Sequence, residues 1–110
     1  MDHSVFRVMN NTEMSLRVHA IPFADVDGGS FSGDVLVVSN RDIQVGAVSG
    51  TDSEPEDVFS SLTVLSEDSS DTLFHEAPLN NSNWSLVADS DIYKSFKFQI
   101  DELMVSTVER

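Results

Sequence analysis

Nineteen carboxylates, three histidines and seventeen serines are the side chains of this 110-residue chain that could do chemistry. Nucleophilic catalysis needs a serine, a base and an orienting acid that converge in space. With these numbers an accidental trio is expected in any fold. No G-x-S-x-G elbow occurs; Gly29-Ser30-Phe31-Ser32-Gly33 is only a loose match and lies outside any strand-turn-helix context. No carboxylate pair for glycoside chemistry stands out among so many, and no glycine loop with a lysine could cradle phosphate. Asp25-x-Asp27-Gly28 begins like a calcium loop, but the twelfth position is Leu36, where a closing glutamate is required. It reads as an acidic glycine turn. His3, His19 and His75 have no metal-ligand spacing, and His75 and Glu76, adjacent in a strand, would point to opposite faces. The absence of cysteine removes disulfides, thiolate chemistry and Cys-ligated metal sites. The expectation is a non-enzyme without metal or cofactor.

The charge is the largest departure from an average composition. Nineteen acids against six Lys and Arg give a formal charge of -13. Between Arg41 and Lys94 there is no Lys or Arg, whereas eleven acids occur there. Seven of these form the candidate partner-binding face: Asp52, Glu54, Glu56, Asp57, Glu67, Asp68 and Asp71. Such a surface repels phosphate and anionic lipid, so neither direct nucleic-acid binding nor membrane binding is expected. Three readings compete: a plain solvated surface, adaptation to high salt, where a short Debye length removes self-repulsion, and a negative face for a basic partner. Two lysines only, Asp in excess over Glu, and abundant Ser and Val fit the second.

The elements that must position these residues are mostly strands. With 40% hydrophobic residues and a mean hydropathy of -0.11, the chain can bury a core and reads as one domain over residues 1–110. Ser4–Met9 alternates, and Met14–Ile21 is the clearest half-buried strand, with Met14, Leu16, Val18 and Ala20 on one face. Asn10-Asn11-Thr12 between them is turn chemistry, which makes the two strands a hairpin. Pro22 closes the second strand. Asp34–Ser39 is a continuous β-branched run, read as a buried strand. After the turn Asn40-Arg41-Asp42, Ile43–Val48 places Ile43, Val45 and Ala47 on one side, giving a second hairpin. Ser53-Glu54-Pro55-Glu56 is a helix start. Val58, Phe59, Leu62 and Leu65 at helical spacing carry that helix from Glu54 to Leu65; the competing reading is a strand over Leu62–Ser66. Thr72–His75, Trp84–Ala88, Ile92–Ile100 and Leu103–Val108 complete the strands, with Phe96, Phe98 and Ile100 facing inward.

Seven to nine short strands and at most one short helix imply an all-β fold, an antiparallel β-sandwich or small barrel. Trp84, the single tryptophan, reads as a core anchor or, alternatively, as an interface residue. No apolar run approaches a membrane span, and Met1-Asp2-His3-Ser4 lacks the pattern of a signal peptide. The three Asn-x-Ser/Thr sequons are therefore read as chance. These features suggest a structural subunit of a larger assembly, with protein partners and a homo-oligomeric state. The concrete version is a virion component, a capsid-decorating, connector or tail protein, in the particle or the host cytoplasm. The alternative is a small acidic inhibitor that imitates DNA in a nucleic-acid-binding cleft.

Overall fold

The computed structural model describes residues 3–23, 29–50, 53–68, 70–90 and 92–101. Its strands are β1 (His3–Asn10), β2 (Leu16–Pro22), β3 (Ser30–Phe31), β4 (Asp34–Val37), β5 (Asp42–Ser49), β6 (Phe59–Ser66), β7 (Thr72–Glu76), β8 (Trp84–Asp89) and β9 (Tyr93–Ile100). One helical turn, α1 (Pro55–Val58), precedes β6. The strands form a five-stranded sheet in the order β3-β5-β1-β9-β8 and a four-stranded sheet in the order β4-β2-β6-β7. All neighbours are antiparallel except β1 and β9, the first and last described strands, which run parallel at the middle of the larger sheet. The two sheets enclose one core as a compact sandwich, the all-β class expected from the strand pattern. The expected strand at Leu103–Val108 and the glycine-rich turn at Asp25, Asp27 and Gly28 lie outside the described residues.

Both expected hairpins are absent. β1 belongs to the larger sheet and β2 to the smaller; β4 belongs to the smaller and β5 to the larger. Each short connection carries the chain from one layer to the other. Asn10 explains why. Its side chain is fully buried. The amide nitrogen donates to the carbonyls of Met14 at 2.7 Å and Val37 at 2.9 Å. The amide oxygen accepts from the Thr12 backbone N–H at 2.9 Å and the Thr12 hydroxyl at 2.6 Å. All four hydrogen-bonding positions of the amide are used. The Asn10 backbone N–H donates to Arg41 O, and the Asn40 N–H donates to Asn10 O. The Ser39 hydroxyl donates to Thr12 O at 2.6 Å. The two crossings therefore lie side by side and are clipped together. Asn40 takes the left-handed backbone, φ 62°, that the second crossing requires and that Asn tolerates.

The long helix is also absent. Pro55 suits a first turn, and the Glu54 N–H donates to Asp57 Oδ2 at 3.1 Å, but α1 ends at Val58. The alternative strand prevails and is longer than expected. Phe59 and Leu62 face the core although three residues apart, because Ser60 is an extra residue in the ladder: Ile21 pairs with Ser61 and Pro22 with Phe59. A bulge thus imitates helical spacing. The same device alters β5. Phe6 pairs with Gly46 and Arg7 with Gln44, so Val45 is the extra residue. Val45 and Val48 are buried, and Ala47 turns outward. Asp34–Val37 is an edge strand and not a buried one: Val37 is inside, whereas Leu36 is exposed.

Aromatic rings join the layers. Phe59, from the smaller sheet, meets Phe6 of the larger edge-on at 5.3 Å and stacks on Trp84 at 6.3 Å. Trp84 also contacts Phe98 at 5.4 Å, and Phe6 stacks on Phe96 at 5.5 Å. Gly46 makes room for this cluster, since a Cβ there would lie 2.7 Å from the Phe31 ring and 3.0 Å from Phe59. Replacing Asn10 by Ala strips partners from several buried polar groups, and the expected loss is about 3 kcal/mol of unfolding free energy. Chemical denaturation of Asn10→Ala measures it; a loss below about 1 kcal/mol would refute the clip.

Candidate functional site

The acids chosen from sequence separate into two groups. Glu54, Glu56 and Asp57 lie at the start of β6, in and before α1. Glu67, Asp68 and Asp71 lie past its end, in the turn to β7. Eight strand residues at about 3.3 Å each hold the groups roughly 25 Å apart. Asp52 lies outside the described residues. Along the strand between the groups, Ser61, Thr63 and Leu65 alternate with the buried Leu62 and Val64, so the acids form no continuous row on β6.

The first group is engaged within the fold. Glu54 Oε2 accepts from Asn81 Nδ2 at 3.3 Å, and Asn81 Oδ1 accepts from the Glu56 N–H at 2.9 Å. Glu76 joins the same end, its carboxylate accepting from the Asn80 N–H at 3.1 Å and Asn83 Nδ2 at 2.6 Å. These contacts fasten α1 and the 3-10 turn Asn81–Asn83 to each other and to β7.

The second group is a preorganised acidic turn. Asp68 Oδ1 accepts from the Ser70 hydroxyl at 2.7 Å, the Ser66 hydroxyl at 2.8 Å and the Ser70 N–H at 3.0 Å. Hydrogen bonds to the charged form favour it, so the carboxyl is held down to about 2, chiefly by the Ser70 hydroxyl, then by the Ser70 backbone and the Ser66 hydroxyl. Ser66 N–H donates to Asp71 O at 2.9 Å and closes the turn. Arg17 Nε donates to Glu67 O at 3.3 Å and anchors it to β2. An open depression of about 320 Å³ beside this turn is lined by Met14, Ser15, Ser66, Glu67 and Asp68. Met14, expected inside, is exposed there because β2 begins only at Leu16.

Sequence reasoning missed a polar row on the outer face of the smaller sheet. Asp34, His19, Thr63 and His75 are register partners across β4, β2, β6 and β7. His19 Nε2 and Arg17 Nη1 lie 3.2 and 3.4 Å from Asp34 Oδ1, and Thr63 Oγ1 shares a hydrogen bond with His75 Nδ1 at 2.8 Å. The period-2 pattern signalled that His19 faces outward; only strand order supplied its neighbours. Thr63 bonds to His75 and not to His19, and His19 Nε2, although 3.2 Å from Asp34 Oδ1, is buried without a hydrogen-bond partner among the described residues. No three His, Asp or Glu side chains converge as a metal-binding group among the described residues.

Trp84, the other candidate, is 7% exposed at the start of β8, within the aromatic cluster. Its Nε1 is buried without a hydrogen-bond partner. On β1 of the same sheet, Arg7 donates from Nη2 to Asp42 Oδ1 at 3.1 Å and from Nε to Asp42 Oδ2 at 3.3 Å. The bond lowers the Asp42 carboxyl and raises the Arg7 guanidinium.

The architecture defines a two-layer β-sandwich with acidic connections. Compared with known proteins, the chain matches no family model, no curated protein and no solved structure. Among the described residues no helix is long and apolar enough to cross a membrane.

Asp68 has a folded-state carboxyl below its ordinary value of 3.8, so it supports folding above that value, and the support is lost as pH falls toward about 2. A side-chain carboxyl NMR titration is expected to place its midpoint near 2. Ser70→Ala should move the midpoint upward; no movement would remove the serine bonds as the cause.

Proposed function

We propose that the chain is a non-enzymatic structural subunit of a larger assembly, a capsid-decorating, connector or tail component of a virion, in a salt-adapted system. The observation that carries this reading is where apolar side chains remain exposed. β8 and β4 are edge strands. Leu86, Val87 and Ile92 lie on β8 and the turn after it, and Leu36 and Val38 lie on or just past β4, each 40% exposed or more. Natural edges are commonly blunted by Lys, Pro, extreme shortness or a bulge, and of these β8 has only a bulge. β8 has six residues with neither Lys nor Pro, and its middle, Ser85-Leu86-Val87-Ala88, is uncharged. Its one irregularity is a bulge at Val87, since Leu86 pairs with Phe96 and Ala88 with Ser95. An edge of this kind can add a strand from a neighbour, with main-chain bonds for affinity and alternate side chains for specificity.

The charge sets the condition for such pairing. Copies that each carry -13 repel at low ionic strength. Raising salt from about 0.1 M to about 1 M shortens the Debye length from roughly 10 Å to roughly 3 Å and leaves apolar contact to act. The DNA-mimic reading draws less support. It needs an extended array of free carboxylates, whereas the acids fall into two groups and in the first the Glu54 and Asp57 carboxylates are bonded within the fold.

Light scattering after size exclusion, from about 0.1 M to about 3 M salt, tests the proposal together with circular dichroism. The expected result is a folded chain whose mass rises with salt, and a Leu86→Lys, Val87→Lys variant that stays monomeric. A wild-type monomer at every salt concentration would overturn the assembly reading. A monomer that captures a nucleic-acid enzyme and releases it as salt rises would put mimicry in its place.

A further inference from the structure

Charge is divided unevenly between the two layers. Four of the five described cationic side chains, Arg7, Arg41, Lys94 and Lys97, belong to the larger sheet or the turn into it. Eight of the twelve described acids belong to β4, α1, β7 or the turns joined to β6. Among the described residues, the larger sheet of this strongly anionic chain therefore carries almost no net negative charge.

Arg7 and Lys97 are the centre of that sheet's outer face. They are register partners on β1 and β9, the parallel pair in the middle of the larger sheet. Both alternate with core residues, Phe6 and Val8 on one strand and Phe96 and Phe98 on the other, and so both point outward. Asp42 is bound to Arg7 and neutralises one of the two charges. Lys97 makes no ion pair within 4 Å among the described residues. Its row continues to Gln44 on β5 and Ser85 on β8, which are uncharged. Two cations on adjacent strands, with one carboxylate bonded to Arg7 from the β5 side, leave room for another carboxylate at Lys97.

We infer that this outer face, centred on Lys97 and Arg7, receives the acidic β6–β7 turn of a second copy of the chain. The inference rests on the assembly reading above and names one of its contacts. The turn is suited to the role: Glu67, Asp68 and Asp71 are exposed, and bonds from Ser66 and Ser70 hold the Asp68 carboxylate in place before contact. It is attached to the smaller sheet, on the other layer of the sandwich from the receiving face. The contact is thus heterologous, one surface meeting a different one, and it propagates as a ring or an open stack and not as a closed two-fold dimer. Association through it has a salt optimum, because long-range repulsion is screened first and the contact pairs are screened at higher salt.

The test is a charge exchange between half-exposed Lys97 and exposed Glu67, measured by sedimentation velocity at the salt concentration where the wild-type chain associates. Lys97→Glu should weaken association by roughly tenfold or more. Glu67→Lys should weaken it as well, although it reduces the net negative charge, and general repulsion alone predicts the opposite. The combined Lys97→Glu, Glu67→Lys chain has the wild-type net charge and should recover association. Circular dichroism and the thermal midpoint confirm that each variant folds; Lys97→Gln, a neutral change at a half-exposed site, is the fallback for the first. If the single variants associate like wild type, this contact is refuted and the assembly reading stands. Stronger association of Glu67→Lys would also refute it. A wild-type chain that never associates removes both.

Discussion

The buried amide of Asn10 is the interaction on which the layering depends. Four hydrogen bonds saturate it, and its main chain holds the second crossing against the first. A polar group buried this deeply is tolerated only when every position is paired; once paired, it fixes a single geometry. Here the geometry sends β1 and β2, and likewise β4 and β5, into opposite sheets. Without the clip, the short polar connections would suit local hairpins equally well, and strands adjacent in sequence would pair within one sheet.

The aromatic cluster follows from that arrangement. Phe59 can stack on Trp84 and meet Phe6 only because β6 lies in the layer facing β1 and β8. Gly46 is the complementary concession on β5, where any Cβ would strike Phe31 or Phe59. Bulges at Ser60, Val45 and Val87 adjust the strands to this interface. Each inserts one residue, shifts the alternation, and changes which side chains reach the core. Pairing of β1 with β9 brings the first and last described strands together within the larger sheet, so its formation depends on contacts between distant parts of the chain.

The same topology organises the charge. Seven of the acids flank β6 or lie on β7, and part of their charge serves the fold: Glu54 and Glu76 fasten the turns beside α1, and Asp68 shapes the β6–β7 loop. Cations gather on the opposite layer, where Arg7 binds Asp42 and Lys97 faces solvent. Among the described residues the negative surface is therefore directional, and Leu36, Val38, Leu86, Val87 and Ile92 leave exposed apolar groups on or beside two edge strands. These are the properties that repeated association would use, with salt deciding whether repulsion or contact prevails.

Composition and short-range pattern determined much of this protein. Alternation at Leu16, Val18 and Ala20, and at Phe96, Phe98 and Ile100, marked strands and their buried faces, because the period of a strand is written in adjacent residues. Pro22 and the Asn40 turn were legible for the same reason. The helix expected over Glu54 to Leu65 was not legible as a strand, since a bulge at Ser60 gives Phe59 and Leu62 the spacing of a helical face. The candidate acids could be named but not assembled; only strand β6, by its length, set two groups at opposite ends. Asn10 looked like a turn residue, and the His19 row and the Arg7–Lys97 pair were invisible. Their partners come from strands far away in sequence. Local periodicity fixes which way a side chain points, whereas its neighbours across a sheet depend on strand order, which tertiary packing alone decides.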